Sequence, residues 1–222
     1  MRPVLLVHGT WSGDFKNNDA PQWWEPGSGF AGFLAKQGLD ASAFEPFRWS
    51  GDLTGLARLF PWNWFKPLQS RDWEAGAQAL RYLLEPRGCP VPFSQRNLIA
   101  HSHGGQVAIL AAASGLRIRR LVTVSTPVRA DMVDAIAKAR PNIERWMHVY
   151  DPTLKDRMQV LGEIGDGRLG WKRSFPAADV KVSMAGAGHS GVLTQPEWFP
   201  LWKIRGLVDF FDEFDASKDR AA

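Results

Sequence analysis

Leu98-Ile99-Ala100-His101-Ser102-His103-Gly104-Gly105-Gln106-Val107 is an apolar run that ends at Ala100, a serine among small residues, and a segment of helical character from Gly104 onward. This layout predicts a strand that turns sharply into a helix with Ser102 at the apex, the arrangement of a nucleophile elbow. So tight a turn needs small residues two before and two after the serine, and Ala100 and Gly104 occupy those positions. Gly105 is expected to let the new helix pack closely against the strand. The pattern departs from G-x-S-x-G by one methyl group, since Ala100 stands at the first glycine position. A plain strand-to-helix connection with Ser102 as N-cap would read the same way, so the rest of the chain has to decide.

Upstream, Pro3-Val4-Leu5-Leu6-Val7 is apolar without alternation, which predicts a strand buried on both faces. His8-Gly9-Thr10 follows it. Acyl transfer at a serine needs two backbone N–H groups aimed at the developing oxyanion. One is expected from His103, the residue after the serine. The other should come from a loop after an earlier strand, and Gly9 allows such a loop to turn. The N–H of Thr10 is the expected donor, with Trp11 second.

Downstream, residues 180–184 read as a late strand, followed by the loop Ala185-Gly186-Ala187-Gly188-His189-Ser190-Gly191 and a closing helix over 198–214. A serine needs a base to take its proton, and histidine titrates in the useful range. Of the five histidines, His8, His101 and His103 belong to the two motifs already described. His148 falls inside the predicted strand 145–150. His189 alone sits on a loop at a strand end, which makes it the candidate base. A carboxylate that orients the imidazole should lie between serine and histidine, just past a strand. Asp156 is the first candidate and Asp151, directly before Pro152, is the alternative, although Asp151 equally fits a turn former. Glu144, Glu163 and Asp166 are lesser candidates.

In these residues the chain resembles the α/β-hydrolase superfamily, and within it small bacterial lipase- or esterase-like members. The resemblance is carried by Val7-His8-Gly9-Thr10, Ala100-His101-Ser102-His103-Gly104-Gly105 and Gly188-His189, in the order oxyanion loop, serine, acid, histidine. It implies a single-domain α/β-hydrolase fold, a mostly parallel sheet with helices on both faces, and a minimal N-terminus. It also implies a serine carboxylic-ester hydrolase that works through Ser102, His189 and Asp156 and an acyl-enzyme, with no cofactor. An acyltransferase, thioesterase or amidase would use the same triad, and a non-catalytic protein could keep the fold as a binding pocket.

The 222 residues can bury one sizeable core. Strands expected at 43–49, 95–100 and 119–124 alternate with helices expected at 71–84, 105–114 and 132–139, a pattern that argues for a mainly parallel sheet. One domain spans 1–214, and 215–222 is expected to be a disordered tail. Residues 52–69 fit the regular scheme badly. They read as a small cap or lid segment, in which Trp62, Trp64 and Phe65, together with Trp11, are candidates to line a substrate pocket or touch a lipid surface. The competing expectation is an ordinary helix packed on the core. Residues 162–175, rich in glycine and basic residues, also fit poorly.

The net charge of +4 and the pI near 9.4 come from scattered Lys and Arg, and no nucleic-acid motif is present. Arg168, Lys172 and Arg173 read as a solvated loop, with attraction of an anionic substrate or an anionic lipid surface as the alternative. A single cysteine, Cys89, excludes an internal disulfide. The histidines and this cysteine lack metal-ligand spacing, so no metal is expected. The first apolar run leads straight into the oxyanion motif and does not read as a signal peptide. No run approaches membrane-spanning length. The expected location is cytoplasmic, and the expected partner is a small-molecule or lipid ester.

Overall fold

In the computed structural model, residues 1–9, 21–49, 66–127, 129–153, 155–156 and 175–212 are described. Among the described residues, seven strands run β1 (Arg2–Pro3), β2 (Leu5–Val7), β3 (Leu39–Asp40), β4 (Asn97–His101), β5 (Ile118–Val124), β6 (Ile143–Tyr150) and β7 (Val180–Ser183). The helices are α1 (Gly29–Lys36), α2 (Lys66–Leu84), α3 (His103–Ala113), α4 (Val133–Ala139), α5 (Gly191–Thr194) and α6 (Phe199–Ile204). Five strands form a parallel sheet in the order β2-β4-β5-β6-β7. The fold is therefore α/β with a parallel sheet.

β1 and β2 lie on one extended run. Its first half pairs with β3, and the Val4 N–H reaches the Asp40 carbonyl at 3.0 Å. Its second half pairs with β4. The connection order reverses at this run, and open α/β sheets place ligands beside such a reversal, at the carboxyl ends of the strands. The register aligns those ends: Val7, Ala100, Thr123, His148 and Lys181 form one row across the sheet. Gly9, Ser102, Ser125 and Asp151 follow that row along one rim.

Side chains alternate along each strand, and both faces are covered. Leu5, Val7, Leu98, Ala100, Leu121 and Trp146 pack on the side of Trp73, Leu80 and Val107 from α2 and α3. Leu6, Ile99, Val122, Val124, Met147 and Val149 pack on the side of Phe30, Leu34, Trp202 and Phe211. Two cores explain why β2 and β4 are buried along their whole length, whereas β7 turns only Val180 and Val182 inward. Burying each such Leu or Val side chain stabilises by roughly 1.5–3 kcal/mol.

Several sequence expectations shift. The strand expected at 43–49 is reduced to one bridge, Val7 to Phe47, because Pro46 has no N–H to donate. The neighbour of the first run is instead Leu39–Asp40. Helix α1, capped by the Ser28 hydroxyl accepting from the Ala31 N–H at 3.1 Å, has no counterpart in the expectation. The closing helix over 198–214 is broken into α6 and a 3-10 turn at Asp209–Phe211. Gly206, at φ 70°, ends α6 in the left-handed region. Of the expected cover segment 52–69, only Lys66–Gln69 are described, and they open α2. The remainder of that segment, most of 162–175 and the expected tail lie outside the described residues.

Candidate active site

Ser102 sits at φ 52° and ψ −130°, a conformation that costs a non-glycine residue about 1–3 kcal/mol. Its neighbours account for the strain. The Ser102 N–H still bonds the Val124 carbonyl at 2.9 Å, as a rung of the sheet. Its own carbonyl already accepts from the Gly105 N–H at 3.0 Å, as the first turn of α3. One residue thus belongs to a strand on one side and a helix on the other.

The small residues around it are set by contact. A Cβ on Gly104 would run into the carbonyl oxygens of Val7 and His8 at the end of β2. A Cβ on Gly105 would meet the Thr126 side chain, on the turn after β5. The close approach expected of Gly105 is thus shared by both glycines, Gly104 against the end of β2 and Gly105 against the turn after β5. On Gly9, a Cβ would lie 2.7 Å from the Ser102 Cβ and 3.3 Å from its Oγ. The turn after β2 thus rests directly on the serine. His103 begins α3, so its N–H lies at the positive end of the helix.

His189 Nδ1 lies 2.9 Å from Asp156 Oδ1, with the carboxylate fully buried and the imidazole 18% exposed. An Nδ1–H donated to the carboxylate leaves Nε2 as the lone-pair nitrogen of a neutral ring. Asp151 does something else. Its Oδ1 accepts from the Thr153 N–H at 2.7 Å and the Gly186 N–H at 3.2 Å, and its Oδ2 from the Gly188 N–H at 2.7 Å. Burial works against ionisation of Asp151, but these bonds outweigh it and hold the carboxyl below the ordinary aspartate value. The alternative acid thus clamps the loop that carries the histidine, while the first candidate meets the histidine itself. Glu144 is engaged elsewhere, with Arg120 on β5.

The two histidines beside Ser102 part to opposite sides. His101 Nε2 lies 3.0 Å from the His189 carbonyl and 3.2 Å from Ser190 Oγ. Its ring lies 4.8 Å from that of His189 and edge-on to Trp23 at 5.8 Å. His103 instead packs on Trp73 of α2 at 4.9 Å. Burial, the Arg129 guanidinium and His189 lower it to about 3. His8 is pushed down by burial as well. Its Nδ1 bonds the Gly9 carbonyl at 2.8 Å, and its Nε2 accepts from the Trp49 N–H at 3.4 Å.

No protein-family model and no curated protein matches the chain. The chemistry of the site is read from its geometry. Thr10, Trp11, Trp62, Trp64, Phe65, Glu163 and Asp166 lie outside the described residues. Among the described residues, no group of three or more His, Cys, Asp or Glu side chains could hold a metal ion, and no helix is long and apolar enough to cross a membrane.

Of the residues that take part, sequence reasoning missed His101 and the clamping role of Asp151. The glycines at 186 and 188 are a signal for the second: a glycine-rich loop that holds His189 in one place needs an anchor from outside.

Proposed function

We propose that the chain is a serine carboxylic-ester hydrolase of the α/β-hydrolase kind, working through Ser102, His189 and Asp156. The observation that carries this reading is the buried Asp156–His189 pair, on a loop bonded to the residue that precedes a strained serine. Strain of this sort at the carboxyl end of a strand points to a functional demand rather than a packing one.

In the proposed reaction, Ser102 Oγ adds to the ester carbonyl carbon while His189 Nε2 takes the hydroxyl proton. Asp156 holds the imidazole in the required tautomer and stabilises its cation. The oxyanion is received by the His103 N–H at the positive end of α3, with a second N–H from the loop after Gly9, assigned to Thr10 from the sequence. The tetrahedral intermediate collapses, His189 gives its proton to the departing alcohol, and an acyl-enzyme remains. Water then repeats the sequence, with His189 as base, and releases the acid and free Ser102.

The test is hydrolysis of p-nitrophenyl esters from acetate to palmitate by wild type and Ser102→Ala. Turnover by wild type, lowered at least about 10⁴-fold in the variant, is the expected result, and the chain-length profile separates esterase from lipase behaviour. Equal turnover by both proteins, or none by wild type on any ester, overturns the reading.

A further inference from the structure

We propose that His101 is a positioning residue, which donates its Nε2–H to the His189 backbone carbonyl and thereby ties the base loop to the strand that carries the serine. A carbonyl oxygen can only accept, so the contact at 3.0 Å places the proton on Nε2. His101 Nδ1 is then the bare nitrogen, and it is buried with no hydrogen-bond partner among the described residues. A ring present only for packing has no reason to be a histidine here, since an unmatched buried nitrogen costs about 1–3 kcal/mol.

Among the described residues, three side chains hold this loop. The Gly188 N–H is on Asp151, the His189 ring is on Asp156, and the His189 carbonyl is on His101. The first two anchors both follow β6, so they fix His189 relative to that strand. The third comes from β4, one residue before the apex, and so sets the base against Ser102. His101 also stays uncharged: burial, then the neighbouring His189, keep it well below the ordinary histidine value. Its ring, 4.8 Å from that of His189, therefore adds no repulsion when His189 takes up the serine proton.

The kinetic consequence rests on the hydrolase reading, whereas the contact does not, and the experiment separates the two. His101→Phe keeps a ring between Trp23 and His189 without the donor, while His101→Gln keeps an N–H at a similar reach. With p-nitrophenyl butyrate, the Phe variant is expected to lose about 10- to 100-fold in kcat, as sub-ångström misplacement of a catalytic group does. KM should stay within about twofold and the Gln variant should recover most of the loss, as a contact that only orients the base predicts. A Phe variant as fast as wild type, or a Gln variant as slow as Phe, overturns the proposal.

Nitrogen-15 spectra of the histidines in wild type test the contact without any variant and without any substrate. They should show His101 neutral with its proton on Nε2 between pH 6 and 9, and a proton on Nδ1 overturns the proposal. A protein with this tautomer but no ester turnover would leave His101 in place and refute the hydrolase reading alone.

Discussion

Two aspartates follow β6 within one short stretch, and both are buried, Asp151 at 1% exposure and Asp156 at 0%. By residue type and burial they are interchangeable, but their partners separate them. Asp151 accepts backbone N–H groups from Thr153, Gly186 and Gly188 and so shapes the loop that brings the histidine back to the sheet. Asp156 accepts from the imidazole itself. A carboxylate that collects amide protons is part of the scaffold, and one that collects an imidazole proton is placed to respond when that ring becomes a cation. Burial alone says nothing about which is which.

The largest effect should come from the second of them. Asp156→Asn is expected to lower kcat for a p-nitrophenyl ester by about 10⁴-fold, because an amide at this position no longer favours the productive tautomer. The thermal midpoint should move little. Steady-state kinetics beside a melting curve checks both halves. A variant that melts early but turns over normally would make Asp156 the scaffold residue.

Asp151→Asn should show the opposite balance. An amide keeps one acceptor oxygen for three N–H groups, so about 1–3 kcal/mol of stability is expected to disappear in urea unfolding. The loosened loop should lower kcat about 10- to 100-fold. If Asp151→Asn abolishes turnover and Asp156→Asn does not, the two roles are exchanged.

The pH dependence of stability sharpens the same contrast. The Asp151 carboxyl is held below its ordinary value of 3.8, so the folded state prefers the anion. Its contribution is complete above pH 3.8 and is lost as pH falls through the lower folded value. Wild type should therefore lose more of its urea midpoint below pH 3.8 than Asp151→Asn loses. The buried histidines add a separate acid loss. With His103 at about 3, the unfolded chain binds the extra proton from pH 6.5 downward. That loss is common to both proteins, so their difference isolates the carboxylate. Parallel curves would mean that Asp151 is not ionised by its clamp.

The smallest effect belongs to Thr153. Its hydroxyl helps to hold the Asp151 anion and accepts from the Lys155 N–H at 3.2 Å. Thr153→Val should cost about 1 kcal/mol in the same unfolding assay. A cost as large as that of Asp151→Asn would move the centre of the clamp to Thr153.

What the sequence made legible follows from how local each demand is. The turn at Ser102 is readable because its sterics act within five residues, β4, β5 and β6 are readable because they are buried nearly throughout, and β7 is readable from the alternation of Val180 and Val182 with exposed Lys181 and Ser183. The strand expected at 43–49 fails for the opposite reason. Phe44, Phe47 and Trp49 give an apolar stripe, but pairing is decided by the neighbouring strand and by Pro46. The closing helix was extended through Gly206 because its apolar spacing continues past the residue that stops it. Asp151 shows the same limit within the site. An acid before proline looks like a turn former, and nothing nearby reveals that it reaches Gly186 and Gly188, 35 and 37 positions on.

The separation along the chain of the parts that meet has a consequence for how the protein is made. The bond between His101 and the His189 carbonyl closes over 88 positions, and every strand pair in the sheet is parallel, so each pairing waits for a long crossover. Such topologies assemble slowly, since loop closure precedes the contacts that reward it. During synthesis the turn at Ser102 can form well before His189 emerges. On the proposed hydrolase reading, the appearance of ester turnover would therefore time a late event of folding rather than an early one.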